Sequence, residues 1–340
     1  RSRFRPGMEE REATDGFAET SLGLTYKNVH LLYRPSVNTK HLDAATHALV
    51  CASEAVVRRM YDVVHFHGIG PSAFAPLARL SGAAVITTVH ALDWRQAKWG
   101  PSAKRIMREG EAVGIRGSHG VIAVSHILVD YIQQEHHVTG RYLPNGAAIL
   151  PPRAPGSILA YGLEGGDYIL TVGRIIRDRG LHYLLDAYRD VDTPLRLVIV
   201  GSEYPRPRYT DELHAMADDR VIFYVLASEV EGLPITPCEA MSFGRCVLLS
   251  DIPENREVGG DAAVFFRSSD VNDLRARLKS LFENDGEVVK RGEAGRRRVE
   301  AHFNWDSIAG DLEAYYADVI EDKRRGASGP AHVNGWRGGS

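Results

Sequence analysis

The sequence predicts an α/β protein with two domains, each built around a mostly parallel β-sheet. Short apolar runs of strand length alternate along the chain with stretches of helical periodicity, which is the pattern of parallel strands joined by helices. The 340 residues suffice for two domains that each bury a core. The stretch PPRAPGS is proline-rich and has no apolar period, as expected of a linker. We therefore predict domains at residues 1–146 and 167–303, joined by a linker at residues 147–166.

Composition favours a soluble protein of a reducing compartment. Apolar residues make up 44% and charged residues 25% of the chain, and the formal net charge of −3 gives no indication of nucleic-acid binding. The three cysteines, Cys51, Cys238 and Cys246, are odd in number and lack metal-ligand spacing. The start is not a signal peptide, and no window has the length of a membrane span. We expect a cytoplasmic protein, and a local basic face would still allow peripheral contact with the inner face of a membrane.

The first domain follows from alternating segments after a charged start. Residues 1–21 lack periodicity and are predicted to be loop or poorly ordered. Apolar runs typical of buried strands occupy residues 29–37, 62–70, 83–90 and 119–125. Helices are predicted at residues 41–61, 71–80 and 125–137. This alternation indicates a mostly parallel sheet that is covered by helices on both faces.

Histidines stand at or near the ends of two predicted strands. His65 and His67 alternate with Phe66, and a histidine in a buried strand is more often packed or hydrogen-bonded than catalytic. His90 differs, because it ends a strand and begins the loop HALDWRQAKWG. Ligands bind at the carboxyl ends of parallel strands in open α/β sheets. The pattern therefore favours a functional role for His90.

The second domain begins with the segment DYILTVGRIIRDRGLHYLLDAY. Residues 168–172 and 195–201 are predicted strands, and helices are predicted after Gly180 and at residues 270–282 and 287–303. Arg174 and Arg179 flank the loop after the first of these strands. Arginines in loops are more often simply solvated, but two guanidinium groups in this position could also bind a diphosphate.

A loop and helix entrance between residues 226 and 251 is a candidate ligand site. Pro234 and Pro237 suit the first turn of a helix, where their missing N–H groups would have no partner. Such an entrance binds phosphate through free N–H groups and the helix dipole. Thr236 and Glu239 also spell a capping box, in which Glu239 would only satisfy its own helix start. The pattern alone leaves ligand binding and capping equally open.

The same segment resembles the E-x7-E signature of retaining glycosyltransferases of family 4. These proteins have the GT-B fold, in which two Rossmann-like domains with parallel sheets face a central cleft, and they use nucleotide-sugar donors. The resemblance implies that Glu239 binds the ribose hydroxyls of the donor and that Glu231 lies near the transferred sugar. Two segments of the first domain further resemble a rhamnosyltransferase-like branch of the family, which acts in bacterial cell-surface polysaccharide biosynthesis. These segments are VVHFHGIGPSAFAPLARL and VITTVHALDWRQAKWG.

The resemblance also implies a set of donor-binding residues in the second domain. The family shows Gly-Arg and then Lys-Gly, with both cations on the donor pyrophosphate; here Gly173 and Arg174 match, but Arg179 replaces the lysine. The other residues that the resemblance assigns to the donor are Gly201, Ser202, Gly232, Leu233 and Pro234.

On the acceptor side, the resemblance implies roles for His90, Asp93 and Lys98 in the loop after the third predicted strand. Trp94 and Trp99 of this loop are interpreted as structural anchors slightly in preference to platforms for a sugar. Residues 304–325 resemble the terminal helix that crosses back to the first domain in GT-B enzymes. Residues 326–340 are Gly-rich and are predicted to be a flexible tail.

Two parts of the family pattern are missing from the sequence. The chain starts about one βαβ unit late by the size of such a unit, roughly 30 residues. The runs ending at Tyr224 and starting at Val225 are fused, although a parallel crossover needs about a dozen residues or more. Either the sequence omits segments or the chain is a truncated form, and we favour omission, because a working sheet could not otherwise be built. The second gap would contain the part of the donor site that binds the base.

These inferences predict a retaining, metal-independent hexosyltransferase without a cofactor. Its donor would be a nucleotide-diphosphate sugar, and its acceptor a saccharide, a lipid-linked molecule or a small molecule. Glu231, His90 and Arg174 are the predicted catalytic residues, because stabilising the leaving diphosphate is the main requirement. Two alternatives stay open: a nucleotide-sugar epimerase or phosphorylase of the same fold, and a non-catalytic protein that binds sugar nucleotides.

Overall fold

A computed structural model gives the fold of the chain. It describes residues 17–20, 23–26, 29–37, 43–95, 99–151, 154, 156–201, 208–218, 220–224, 234–327 and 329–330. Contacts divide the chain into two compact units. The first unit takes in the described residues of Arg1–Ala123, Val129–Arg141 and Tyr315–Ser340, and the second those of Val124–Leu128 and Tyr142–Ala314.

The larger sheet associated with the first unit has four strands in the order β4-β5-β6-β7, and the β4-β5 and β5-β6 pairs are parallel. These strands are β4 (Val63–His67), β5 (Ala84–Val89), β6 (Gly120–Ala123) and β7 (Arg141–Tyr142). The helices between and around them are α1 (Asp43–Arg58), α2 (Ile69–Ser72), α3 (Ala75–Arg79), α4 (Pro101–Gly117) and α5 (His126–His136). Every residue of β5 and β6 is buried, which confirms the continuous apolar runs as central strands of a parallel sheet.

Three predictions for this part of the chain are wrong in detail. Residues 17–20, predicted to be loop or poorly ordered, form strand β1, and β2 (Gly23–Tyr26) and β3 (Val29–Leu31) follow it in a small antiparallel sheet. The strand predicted at residues 29–37 is thus shortened to Val29–Leu31 and lies outside the parallel sheet. Leu32 and Tyr33, which follow it, are exposed, so burial does not favour extending the strand. The helix predicted at residues 71–80 is split into α2 and α3, with Pro76 in the first turn of α3, where a proline is tolerated.

In the second unit, the described strands form two parallel sheets. β8 (Tyr168–Val172), β9 (Arg196–Val200) and β10 (Val221–Tyr224) have the order β10-β9-β8. β11 (Leu248–Ser250) pairs with β12 (Val264–Phe266). The strand predicted from Val225 onward lies outside the described residues. The helices are α6 (Leu181–Arg189), α7 (Arg208–Met216), α8 (Ile235–Ser242), α9 (Pro253–Gly259), α10 (Val271–Phe282), α11 (Asp285–His302) and α12 (Trp305–Arg324).

The last part of α12 belongs to the first unit. Tyr315 is buried, and its hydroxyl lies 3.0 Å from the backbone nitrogen of Val121, from which it accepts a hydrogen bond. A Cβ on Gly120 would lie 2.7 Å from the same hydroxyl, so only glycine allows this approach. No helix in the described part of the chain combines the length and the apolar character needed to cross a bilayer.

Candidate active site

Two glycines allow the carboxyl ends of β8 and β9 to lie side by side. Gly173 follows β8 with a φ of 153°, and Gly201 follows β9. A Cβ on Gly201 would lie 1.8 Å from the carbonyl oxygen of Gly173, so no side chain fits there. Both glycines are predicted donor-binding residues, and they stand at the strand ends where open α/β sheets bind ligands.

A cavity of about 160 Å³ opens at these strand ends within the second unit. Its wall contains Gly173, Arg174, Arg179 and Pro234, four of the residues that the sequence assigns to the donor. Thr171, Val172, Ile199 and Val200 from β8 and β9 form another part of the wall. The structure therefore brings the arginine loop, the strand ends and the entrance of α8 together around one cavity.

Arg174 brings a partly buried cationic group to this cavity. Its Nε atom is buried and has no hydrogen-bond partner in the part of the chain that the structure describes. A buried N–H without a partner costs about 1–3 kcal/mol, so such a group is expected to receive an acceptor from a ligand. Arg179 is exposed at the edge of the same cavity. A guanidinium group is a planar fork of donors that suits phosphate oxygens.

The entrance of α8 adds further donors. Pro234 is the N-cap, and no side chain of the described residues caps the helix. Of the first backbone nitrogens, those of Pro234 and Pro237 carry no hydrogen, which leaves the N–H groups of Ile235 and Thr236 to face outward. Thr236 is thus the second helical residue rather than the cap, so the capping box that the sequence allows is not formed. The helix dipole adds positive potential beside Arg174.

A cluster of imidazoles lies at the carboxyl end of β4 in the first unit. His65 shares hydrogen bonds with the Tyr316 hydroxyl at 2.6 Å and with Thr88 Oγ1 at 2.7 Å, as the packed interpretation of this residue predicts. His67 Nδ1 lies 3.1 Å from His90 Nε2, and the two rings are stacked. Burial, followed by the effect of His67, lowers the pKa of His90 to about 4. His90 is therefore neutral at physiological pH.

The loop after His90 is held by a buried carboxylate. Trp94 Nε1 donates to Glu111 Oε2 at 2.9 Å, which favours the interpretation of Trp94 as a structural anchor. Glu111 on α4 also accepts from the Tyr131 hydroxyl at 2.6 Å and pairs with His136 Nε2 at 2.9 Å. Burial acts to raise the pKa of Glu111, but the hydrogen bonds from His136, Tyr131 and Trp94 outweigh it and lower the pKa. Asp93 begins the short 3₁₀ turn Asp93–Arg95 beside this anchor.

Comparison with known proteins identifies the family. The sequence model described as "Glycosyltransferase Family 4" matches residues 8–148, and that described as "Glycosyl transferases group 1" matches residues 209–298. The chain belongs to the family 4 glycosyltransferases. The lipopolysaccharide core biosynthesis mannosyltransferase LpcC of Rhizobium leguminosarum bv. viciae is 26% identical to this chain in an alignment of 243 residues, which covers 62% of this chain and 67% of the relative.

Solved structures agree with the GT-B fold of this family 4 glycosyltransferase. Sucrose-phosphate synthase from Thermosynechococcus elongatus superposes with a TM-score of 0.69 at 19% identity, covering 80% of this chain and 77% of that one. HepE from Anabaena, solved in complex with UDP and glucose, superposes with a TM-score of 0.67 at 14% identity, covering 78% and 81%. The predicted fold class is thus confirmed, whereas the rhamnosyltransferase-like branch stays a prediction.

Asn255 on α9 and Thr236 line the cavity of the glycosyltransferase and are not among the predicted site residues. Asn255 Nδ2 donates to the Ser250 carbonyl oxygen at 3.1 Å and to Ser250 Oγ at 2.9 Å. Because a carbonyl oxygen only accepts, these bonds fix the amide orientation and leave Oδ1 as the acceptor without a partner in the described chain. No local pattern in SDIPENREV predicts this position, since it depends on how α9 packs beside the strand ends.

Several predicted site residues are not brought into the cavity. Glu239 is the fifth residue of α8 and is exposed, but it does not line the cavity, so its contact with ribose stays a prediction. His90 and Asp93 belong to the first unit. The predicted residues Lys98, Ser202, Glu231, Gly232 and Leu233 lie outside the described residues. Within the described ranges, no group of three or more His, Cys, Asp or Glu side chains has a geometry that could hold a metal ion.

Proposed function

We propose that this glycosyltransferase moves a sugar from a nucleoside-diphosphate donor to an acceptor with retention of the anomeric configuration. The observation that carries the proposal is the buried Nε of Arg174, which has no partner among the described residues, in one cavity with the entrance of α8 at the ends of β8 and β9. Acceptor-only phosphate oxygens would satisfy all of these donors at once.

Breaking the glycosidic bond of such a donor leaves a diphosphate with an additional negative charge. Arg174, Arg179 and the N–H groups of Ile235 and Thr236 would stabilise that charge as it develops. The two N–H groups are fixed by the helix backbone before the ligand arrives, so they need little reorganisation during the reaction. The complex of HepE with UDP and glucose supports a nucleoside diphosphate as the occupant.

The rest of the cavity suits the hydroxyl groups of a donor. The Oδ1 atom of Asn255 is an acceptor, which phosphate cannot satisfy but a ribose or sugar hydroxyl can. Glu239 on α8 would accept from the ribose, as the family resemblance implies. The cavity would thus have a donor-rich wall for the diphosphate and an acceptor for a hydroxyl.

On the first unit, we propose that His90 and Asp93 face the acceptor. The neutral imidazole of His90 can bind a hydroxyl without adding a charge. The mannosyltransferase activity in the name of LpcC and its role in lipopolysaccharide core biosynthesis support a hexosyl donor and a saccharide or lipid-linked acceptor. Independence of metal ions and cofactors, a cytoplasmic location and peripheral membrane contact remain part of the proposal.

Transfer assays with a panel of uridine, guanosine and adenosine diphosphate sugars test the proposal on the full chain. Arg174→Ala should lower kcat/KM at least about 100-fold, because a fixed donor to the developing charge is lost. Arg177→Ala is the matched control: Arg177 lies in the same loop but pairs with Glu212 outside the cavity. An assay with EDTA tests the proposed independence of metal ions.

Near-normal turnover of Arg174→Ala would refute the assignment of the donor site. Incubation with donor alone separates transfer from epimerisation, since an epimerase would change the sugar without any acceptor. Donor binding without turnover across a broad acceptor panel would instead indicate a non-catalytic binding protein.

A further inference from the structure

We infer that His67 is a positioning residue for His90: it holds the His90 ring in the tautomer that bears the proton on Nε2, so that Nδ1 presents a lone pair to a substrate hydroxyl. The inference deepens the proposed function and rests on it for the identity of that hydroxyl. The pairing of the two rings stands on the structure of the first unit alone.

The strand register puts the imidazoles on one face of the sheet. His65 and His67 are two residues apart on β4, and His67 lies opposite Thr88 on β5. His90 follows Thr88 by two residues and therefore leaves the strand on the same face. The ring centroids of His65 and His67 are 4.2 Å apart, and those of His67 and His90 are 5.4 Å apart.

Burial keeps these rings neutral. A buried cationic imidazole would lose hydration and would lie beside another imidazole of the cluster. Burial, then His67, lowers the pKa of His90 to about 4, and burial, then His67 and His90, lowers that of His65 to about 3. A neutral imidazole has one donor nitrogen and one acceptor nitrogen. The 3.1 Å contact between His67 Nδ1 and His90 Nε2 therefore contains a single proton.

Two arrangements of that proton are possible, and one is favoured chemically. If His90 Nε2 donates to His67 Nδ1, both rings carry their proton on Nε2, the form that neutral histidine prefers in water. The reverse arrangement puts both rings in the less stable form. With the proton on Nε2, His90 Nδ1 is a bare acceptor, and it has no hydrogen-bond partner in the described ranges. The hydrogen bond on one nitrogen thus decides the chemistry of the other.

Substitutions at position 67 can distinguish the positioning of His90 from a mere packing role of the His67 ring. In His67→Asn, the amide oxygen takes nearly the place of the imidazole Nδ1 and can accept from His90. In His67→Leu, similar volume remains without any acceptor. Tyr316→Phe is the matched control, because it removes the hydroxyl from His65 and leaves the contact between His67 and His90 intact.

Histidine-selective ¹⁵N NMR of the full chain reads the tautomer directly, with the His90 signals assigned from His90→Gln. We expect a proton on Nε2 of His90 in the wild type, in His67→Asn and in Tyr316→Phe, and a mixture of tautomers in His67→Leu. In transfer assays, His67→Leu should lower kcat about five- to tenfold, the value of one hydrogen bond, without changing the donor KM. His67→Asn should restore kcat to within about threefold of the wild type.

An unchanged His90 tautomer in His67→Leu overturns the inference, as does an equal loss of kcat in the Asn and Leu variants. A chain that transfers no sugar, but whose His90 tautomer follows residue 67, overturns the proposed function and upholds the pairing. Circular dichroism and thermal unfolding of each variant identify any loss that comes from misfolding.

Discussion

Gly201→Ala is expected to destabilise the second unit strongly. The added Cβ would lie 1.8 Å from the carbonyl oxygen of Gly173, well inside the 3.0 Å below which real Cβ atoms are essentially not found. The next nearest atoms are the Gly173 carbonyl carbon at 3.0 Å and Ile175 Cγ1 at 3.3 Å, so a small shift of the Cβ would not relieve the clash. The ends of β8 and β9 must therefore separate by more than about 1 Å. Overpacking of a rigid site typically costs about 1–3 kcal/mol, and a backbone obstacle puts this substitution at the upper end, about 3 kcal/mol.

Thermal unfolding measures the effect. At about 2–4 °C per kcal/mol for a domain of this size, the transition of the second unit should fall by about 6–12 °C. Gly310→Ala is the control, because a Cβ on Gly310 in α12 meets no atom within 4 Å. It should raise stability by about 0.5–1 kcal/mol, as alanine replaces glycine in a helix interior. A Gly201→Ala transition within about 1 °C of the wild type would refute the close approach of the two strand ends.

Two further substitutions test other parts of the molecule. Glu111→Gln places an amide N–H against the donors of Trp94, Tyr131 or His136 and should cost about 2–3 kcal/mol at neutral pH. Because the pKa of Glu111 is lowered in the folded state, the advantage of the wild type should be complete above the ordinary carboxylate pKa of 4.5 and disappear as the pH falls through the folded value; a difference that persists at low pH would contradict this. Asn255→Ala should weaken binding of a nucleoside-diphosphate sugar about five- to tenfold and leave pyrophosphate binding unchanged, as measured by titration calorimetry. An equal loss of affinity for both ligands would show that Asn255 contacts the diphosphate. A similar loss of affinity for the free nucleoside diphosphate would assign the contact to the ribose.

The fold was predictable where the residues of a single helix or strand indicate its structure without reference to its neighbours. The apolar runs at residues 83–90 and 168–172 predict buried strands, and the structure has β5 and β8 there. β5 is buried as predicted, whereas β8 is not, since Leu170 and Val172 are exposed. Prediction failed where packing decides the outcome. Residues 29–37 have strand composition, yet only Val29–Leu31 finds a partner strand, because pairing depends on what lies beside the segment. The sequence also shows the proline at position 76, but not whether the helix around it is interrupted.

The site was predictable to the extent that local chemistry marks it. Arg174 and Arg179 are visible as two cations in the loop after a strand, and both line the cavity. Asn255 is not visible in this way, because its amide is fixed by Ser250 and reaches the cavity only through the packing of α9. The bond between Trp94 and Glu111 joins residues 17 positions apart on a loop and a helix, and no periodic pattern encodes such a pair.

The helix α12 has a consequence for how the chain folds during synthesis. The first unit needs Tyr315, which fills the space above Gly120 and bonds to Val121. The ribosome adds Tyr315 only after every residue of the second unit has been made. An amino-terminal fragment that ends at the linker would therefore expose an unfilled groove on β6, and the part of the protein that is translated first is the part that is completed last.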